Sequence, residues 1–250
     1  MQEVQETFLS HLIELRERLV RSLVAIAILL IPCLYYSSQL YDILAAPLIH
    51  ALPANTKMIA TGVITPFLIP MKIAALTAFV GALPYVLYQM WAFVAPGLYA
   101  HEKKLVLPLI VSSTLLFFAG MAFCYFIVFG RVFAFIAAFA PQSVNVSPDI
   151  EAYFNFVLGM FLAFGLAFEV PVVVVVLVLS GVISVDQLRE FRGYVIVGIS
   201  VIAAFITPPD AISMISLAVP MCLLYEVGIL VAAVVEKRRR EGRVGEPSRE

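Results

Sequence analysis

Between Tyr153 and Ser180 the chain runs for 28 residues with one carboxylate, Glu169, and no basic side chain. About 20 apolar residues suffice to cross the hydrocarbon core of a bilayer as a helix. Composition shows which solvent such a run meets. The 250 residues are 62% hydrophobic and 13% charged, against roughly 45–50% and about 25% in a soluble domain. That polar surface is too small to cover a water-soluble globule. The bilayer is the solvent that the sequence implies.

Five other apolar runs accompany the first, at residues 19–36, 73–95, 105–130, 194–206 and 211–235. The run at 194–206 is short, since 13 residues rise only about 20 Å as helix against a core of about 30 Å. Charge sets the orientation, because Lys and Arg favour cytoplasmic loops. With the N-terminus inside and all six runs crossing, 13 of the 16 Lys and Arg residues fall inside. Lys57, Lys72 and Arg131 are then left at the outer side. The expected organisation is one transmembrane domain over residues 1–236 and a charged, disordered cytoplasmic tail over 237–250. The short run pairs with the last one as a hairpin, through local bilayer thinning or a shielded place in the bundle. The link between the first two spans, residues 37–70, is too apolar for a solvated linker. It reads as short helices packed over the bundle, with Ser38 capping one and Pro47 ending it.

Several function classes are poorly served by this sequence. A net charge of −1 gives no bulk basic character for nucleic acid. Cys33, Cys124 and Cys222 lie far apart in apolar runs and read as core packing. The N-terminus shows no apolar stretch followed by a small-residue cleavage site, so no removable signal peptide is expected. The motifs of zinc hydrolases, serine hydrolases and P-loop nucleotide binders are missing, and no cofactor or metal is implied.

Two features invite a functional reading. An ionisable residue near the centre of a span costs about 2.5–3.5 kcal/mol on insertion scales. Glu169 should therefore face the bundle interior or a wet groove. Pro171 beside it frees the carbonyl of Ala167 and invites a kink. Glu226 lies nearer the inner end of its span, and Tyr125 is a candidate hydrogen-bond partner for either acid. At the inner boundary, residues 10–22 form an amphipathic helix start with His11, Glu14, Arg18 and Arg21 along one side. Glu14–Arg18 and Glu17–Arg21 are i,i+4 pairs in the favourable order. The segment 91–104 follows the same logic, with Trp91, Phe93 and Tyr99 as an aromatic belt. Both segments read either as interface anchors or as a docking surface.

The segments HLIELRERL (11–19), APLI (46–49), PF (66–67), YQMWAFVAPGLYAHEKK (88–104), AFEVPV (167–172) and TPPD (207–210), in this order, resemble the TatC family, the polytopic component of the twin-arginine protein translocase. The resemblance implies an all-α membrane protein of six helices in a concave, glove-like bundle. Both termini are cytoplasmic and the outer cap is structured. It implies a multi-pass inner-membrane protein that is not an enzyme and that recognises twin-arginine signal peptides. With the single-span subunits TatA and TatB, and by self-association, such a protein exports folded proteins using the proton-motive force. Glu14 and Glu102 match the acidic recognition positions. Phe93, Leu98 and Tyr99 match their apolar surroundings, with His11 and Arg16 in the adjoining motif. Pro47 and Pro171 take structural roles. Glu169, Tyr125, Thr207, Asp210, Met214 and Glu226 form the intramembrane polar and partner-docking set, with Met214 where the family often has glutamine.

Two rival classes make demands on the residues. A proton-coupled solute carrier with Glu169 as relay would call for internal repeats and more polar groups at mid-span. An intramembrane hydrolase would call for a paired nucleophile and base. The sequence supplies neither.

Overall fold

The computed structural model describes residues 2–51, 58–94, 106–139, 147–206 and 211–244. Among them the regular structure is helical, with one isolated parallel bridge between Ile59 and Asp149. The helices are α1 (Gln2–Tyr35), α2 (Ser37–Ala51), α3 (Thr65–Val94), α4 (Val106–Phe123), α5 (Phe129–Phe139), α6 (Ile150–Phe168), α7 (Val170–Leu179), α8 (Val185–Glu190), α9 (Arg192–Ile206) and α10 (Ala211–Val244). A π-helical turn, Cys124–Val128, joins α4 to α5. Five helical stretches are long and apolar enough to cross a membrane: Leu12–Tyr35, Thr65–Phe93, Leu107–Phe135, Ile150–Leu179 and Met214–Lys237. The sixth, α9, has 15 residues and a length of about 22 Å. The shortness expected of the 194–206 run is present in the fold.

The chain divides into two compact units, residues 1–114 with 133–159, and residues 115–132 with 160–250. In the first, α1 and α2 both pack on α3. The buried face of α3 repeats every four residues or so through Ile69, Ile73, Ala78, Ala82 and Leu87, the stripe of a helix that buries one side. The small side chains of Ala74, Ala78 and Ala82 allow a close approach to α1. A Cβ on Gly81 would already touch Leu29 Cδ1 at 3.4 Å.

Three boundaries differ from the sequence reading, two of them at prolines. The helix of the second span, α3, begins at Thr65 rather than at residue 73, because Pro66 falls in its first turn, where a missing N–H is no loss. Pro70 is tolerated one turn further on. Pro47 does not end α2, which continues to Ala51 around it, although an interior proline removes one donor and crowds the preceding turn. Between α1 and α2 only Tyr36 leaves the helix. Its N–H still bonds Pro32 O at 3.1 Å, and Leu40 N–H bonds Tyr36 O at 3.1 Å. At the far end, α10 runs on to Val244, past residue 237 where the sequence suggested that the charged tail begins.

The outer part of the first unit is tied by Asp149. One carboxylate oxygen accepts the N–H groups of Glu151 (2.7 Å) and Ala152 (3.0 Å) at the start of α6. The other accepts the Thr61 hydroxyl (2.5 Å) and N–H (3.2 Å). Ile59 completes the junction, donating to Pro148 O at 3.0 Å and accepting from Ile150 N–H at 2.9 Å. Around it, Thr65 donates to Glu151 at 3.1 Å, Lys72 to Asn155 at 3.0 Å, and the Tyr153 hydroxyl to Leu44 O at 2.8 Å. The link between the first two spans is thus a fastened cap.

In the second unit α7, α8 and α9 pack on α10. Its core joins Val174 and Val178 of α7, Val185 and Leu188 of α8, and Tyr225, Ile229 and Ala232 of α10. Close approach again falls on glycines. A Cβ on Gly228 would lie 2.9 Å from Pro171 Cα, and one on Gly165 would strike the Phe117 ring. A Cβ on Gly120 would overlap the Phe164 carbonyl oxygen. Gly181, at φ +72°, turns the chain after α7 in the left-handed region that glycine enters freely. Ser184 and Gln187 then form a reciprocal capping box that starts α8.

Two outcomes follow. The Thr61 hydroxyl, then the N–H groups of Ala152, Thr61 and Glu151, hold the Asp149 carboxyl below its ordinary value. A carboxyl depressed by folding stabilises the cap above its unfolded pKa, about 3.9, and loses that effect as pH falls through the folded value. Amide exchange at residues 59–61 should therefore accelerate on acidification below about pH 4, and Asp149→Asn should flatten that response. Separately, Gly120→Ala should lower the thermal midpoint in detergent, at an overpacking cost of about 1–3 kcal/mol. Gly159→Ala, whose Cβ would meet nothing within 4 Å, should leave the midpoint unchanged or raise it.

Candidate functional site

Apart from the cap, a second polar group of the first unit gathers at one end of the α1–α3 pair. Leu29 meets Gly81 while Arg18 meets Gln89, so the two helices run antiparallel. One turn further along each lie Glu14 on α1 and Phe93 on α3, which places them at the same end. Arg18 turns two nitrogens onto one oxygen of Glu14, with Nε at 3.0 Å and Nη2 at 2.6 Å. Its third nitrogen, Nη1, lies 3.5 Å from Gln89 Oε1. The Gln89 amide nitrogen donates to the Tyr85 hydroxyl at 2.7 Å, and the Ser22 hydroxyl to Arg18 O at 3.0 Å. The result is a polar ladder of Glu14, Arg18, Gln89 and Tyr85 at the seam of the two helices. Gln89 is 4% exposed. Beside it, the buried Trp91 indole donates to Ser113 Oγ at 3.0 Å, anchoring α3 to α4.

Of the residues expected to bind a signal peptide, Glu14, Phe93 and Arg16 are described. Arg16 is exposed and Phe93 half-buried. His11 is placed on α1 by its backbone, but its side chain lies outside the described residues, as do Leu98, Tyr99 and Glu102. Sequence reasoning missed Gln89 and Ser113. Gln89 had a signal, since an amide within an apolar span is as anomalous as a carboxylate; Ser113 had none.

In the second unit Glu169 sits where the fourth span breaks. Its N–H bonds Leu166 O at 3.1 Å, a tighter turn than an α-helix, and its carbonyl accepts from Val173 N–H at 3.0 Å. The side chain is 8% exposed, as expected for an acid that faces the protein interior. The break precedes Pro171, which restricts the backbone before it and opens α7 as an early residue. Glu226 corrects an expectation. Its hydrogen-bond partner is Arg192 of α9, at 2.8 Å, rather than Tyr125. A basic residue at the start of α9 reaches it across the helix pair, so this acid is neutralised by a salt bridge. Tyr125 instead stacks on Phe161 at 6.4 Å between ring centroids. Tyr225, next to Glu226, donates to Leu188 O at 2.8 Å and fixes α8 on α10. Met214 lies half-buried on α10, and Thr207 and Asp210 fall outside the described residues. Among the described residues no group of three or more His, Cys, Asp or Glu side chains is arranged for a metal ion.

Residues 10–220 match the family model described as TatC, Sec-independent protein translocase protein. Relatives called Sec-independent protein translocase protein TatC occur in Escherichia coli K12, 45% identical over 96% of this chain and 93% of the relative. One from Haemophilus influenzae is 44% identical over 98% of this chain and 96% of its own length. A third, from Halothiobacillus neapolitanus, is 48% identical, and the chain spans 66% of its length, just under two thirds. A crystal structure titled twin arginine translocase receptor TatC superposes with a TM-score of 0.78, at 38% identity over 90% of this chain and 98% of that one. A second crystal structure, in the detergent DDM, gives 0.80 over 89% and 99%.

The Trp91–Ser113 contact yields a direct test, since Trp91 is the chain's single tryptophan. Ser113→Ala leaves a buried indole N–H unsatisfied, at a cost of about 1–3 kcal/mol. The expected result is a lower thermal midpoint by tryptophan fluorescence, with Ser113→Thr restoring most of the loss.

Proposed function

This chain belongs to the TatC family of Sec-independent protein translocase proteins, and on that premise we propose that it is the receptor and core subunit of a twin-arginine translocation system. Family membership makes it a protein-transport component that crosses the inner membrane several times, and not an enzyme. In the role proposed, it binds twin-arginine signal peptides at the cytoplasmic face. With TatA and TatB, and in several copies, it exports folded proteins using the proton-motive force.

The observation that carries this reading is Glu14 with a guanidinium seated on it. A carboxylate at a half-buried helix seam accepts the fork of an arginine, which is the chemistry a twin-arginine motif requires. Glu102 supplies the second carboxylate, on the segment that follows α3. Phe93, Leu98 and Tyr99 supply apolar surface around the motif, and His11 and Arg16 flank it. Partner helices dock against the second unit, where Glu169 offers a polar mark at membrane depth. Tyr125 and Met214 belong to that docking region and Glu226 braces it through Arg192, with Thr207 and Asp210 assigned to the same role from the sequence motif. Pro47 shapes the cap, and Pro171 keeps the break at Glu169.

Charge reversal tests the peptide site. Glu14→Lys and Glu102→Lys should each reduce site-specific crosslinking to a twin-arginine precursor at least tenfold, about 1.4 kcal/mol or more. Membrane insertion should persist. Undiminished crosslinking in both variants would remove these residues from the site.

A further inference from the structure

The carboxylate that is to receive the peptide's arginine already holds one of the chain's own. The next pair on the same helix shows that this is not a generic surface bridge. Arg21 makes a single 3.2 Å contact to Glu17, and both side chains are about 60% exposed, at 59% and 61%. Such a solvated i,i+4 pair is worth about 0.3–0.5 kcal/mol. Arg18 and Glu14 are 21% and 36% exposed, and Arg18 brings two nitrogens to the carboxylate and a third toward Gln89. Gln89 belongs to the other helix and is buried. Its amide nitrogen is committed to Tyr85, which leaves its carbonyl turned to the guanidinium. Arg18 therefore has two acceptors, one on each side.

The geometry points to Arg18 as a specificity-determining residue, an internal competitor that makes Glu14 available to an incoming arginine and not to a lysine. The inference rests on the assignment of Glu14 to the signal-peptide site. Binding is then an exchange. The peptide guanidinium displaces Arg18 from Glu14, and Arg18 stays on the Gln89 carbonyl. One planar fork replaces another, so the exchange of hydrogen bonds is nearly even and the remaining peptide contacts decide the affinity. A lysine ammonium brings the same charge without the fork. It cannot replace both of the Arg18 nitrogens on one oxygen, and the exchange runs uphill. Discrimination of this kind arises from what the site already holds against the wrong ligand.

The test uses the full-length protein in detergent and two synthetic signal peptides that differ only in carrying Arg-Arg or Lys-Lys. Affinities are compared for the unaltered chain, Arg18→Gln, Arg18→Lys, Glu14→Gln and Arg21→Gln. Arg18→Gln should tighten the Lys-Lys peptide and shrink the Arg-Arg preference about tenfold, or about 1.4 kcal/mol. Arg18→Lys keeps the charge and the alkyl stem, guards against a folding artefact, and should give an intermediate loss of preference. Arg21→Gln should leave the preference unchanged. An unaltered preference in both Arg18 variants, or an equal weakening of both peptides, would overturn the inference while leaving the site reading intact. Full Arg-Arg affinity in Glu14→Gln would instead overturn the site reading beneath it.

Discussion

Every backbone N–H and C=O inside a bilayer has to find its partner within the protein. From this follow the helical character of the described chain and the few places where the helices are interrupted. The first span continues into α2 across a single residue, Tyr36, whose backbone bonds carry on almost unbroken. The third absorbs its irregularity in the π-helical turn Cys124–Val128, where each bond skips one residue further and Phe129 N–H reaches Cys124 O. The fourth breaks at Glu169, yet the N–H and carbonyl of that residue are both bonded within the segment. In these three interruptions among the described residues, the irregular backbone keeps local hydrogen bonds.

Where one side chain crosses to a neighbouring helix, the same economy governs. Trp91 reaches Ser113, Arg18 reaches Gln89, Arg192 reaches Glu226, and the Tyr225 hydroxyl takes the carbonyl of Leu188. Each contact gives a polar group a partner that lipid could not supply. Each also stitches two helices at a chosen height, which apolar packing against equally apolar lipid does weakly.

The spans were legible because length and the near absence of charge suffice to identify them, and the shortness of α9 could be read directly from 13 residues between polar borders. The burial of Glu169 followed from the cost of placing an acid at mid-span. Helix boundaries were less legible, because Pro47, Pro66 and Pro70 signal turns in water but are absorbed at first turns and in packed helices here. The pairings were the least legible of all. Gln89 meets Arg18 across 71 positions and Arg192 meets Glu226 across 34. Neither separation has a periodicity that a sequence can display; only packing brings these residues together. At the inner end of α1 the acid and its i,i+4 arginine, Glu14 and Arg18, stood out, and the second acceptor, Gln89, did not.

The glycines of the second unit have a mechanical meaning. Gly120 leaves a notch filled by Phe164 and Phe168, and Gly165 leaves one filled by Phe117. The two helices are thereby keyed to each other like a tenon in its mortise, since neither can slide along its axis without driving a ring into backbone. Phe168 is the residue before Glu169. The joint therefore works as a depth stop. It fixes the height of the acid against α4 to within a fraction of a helical turn.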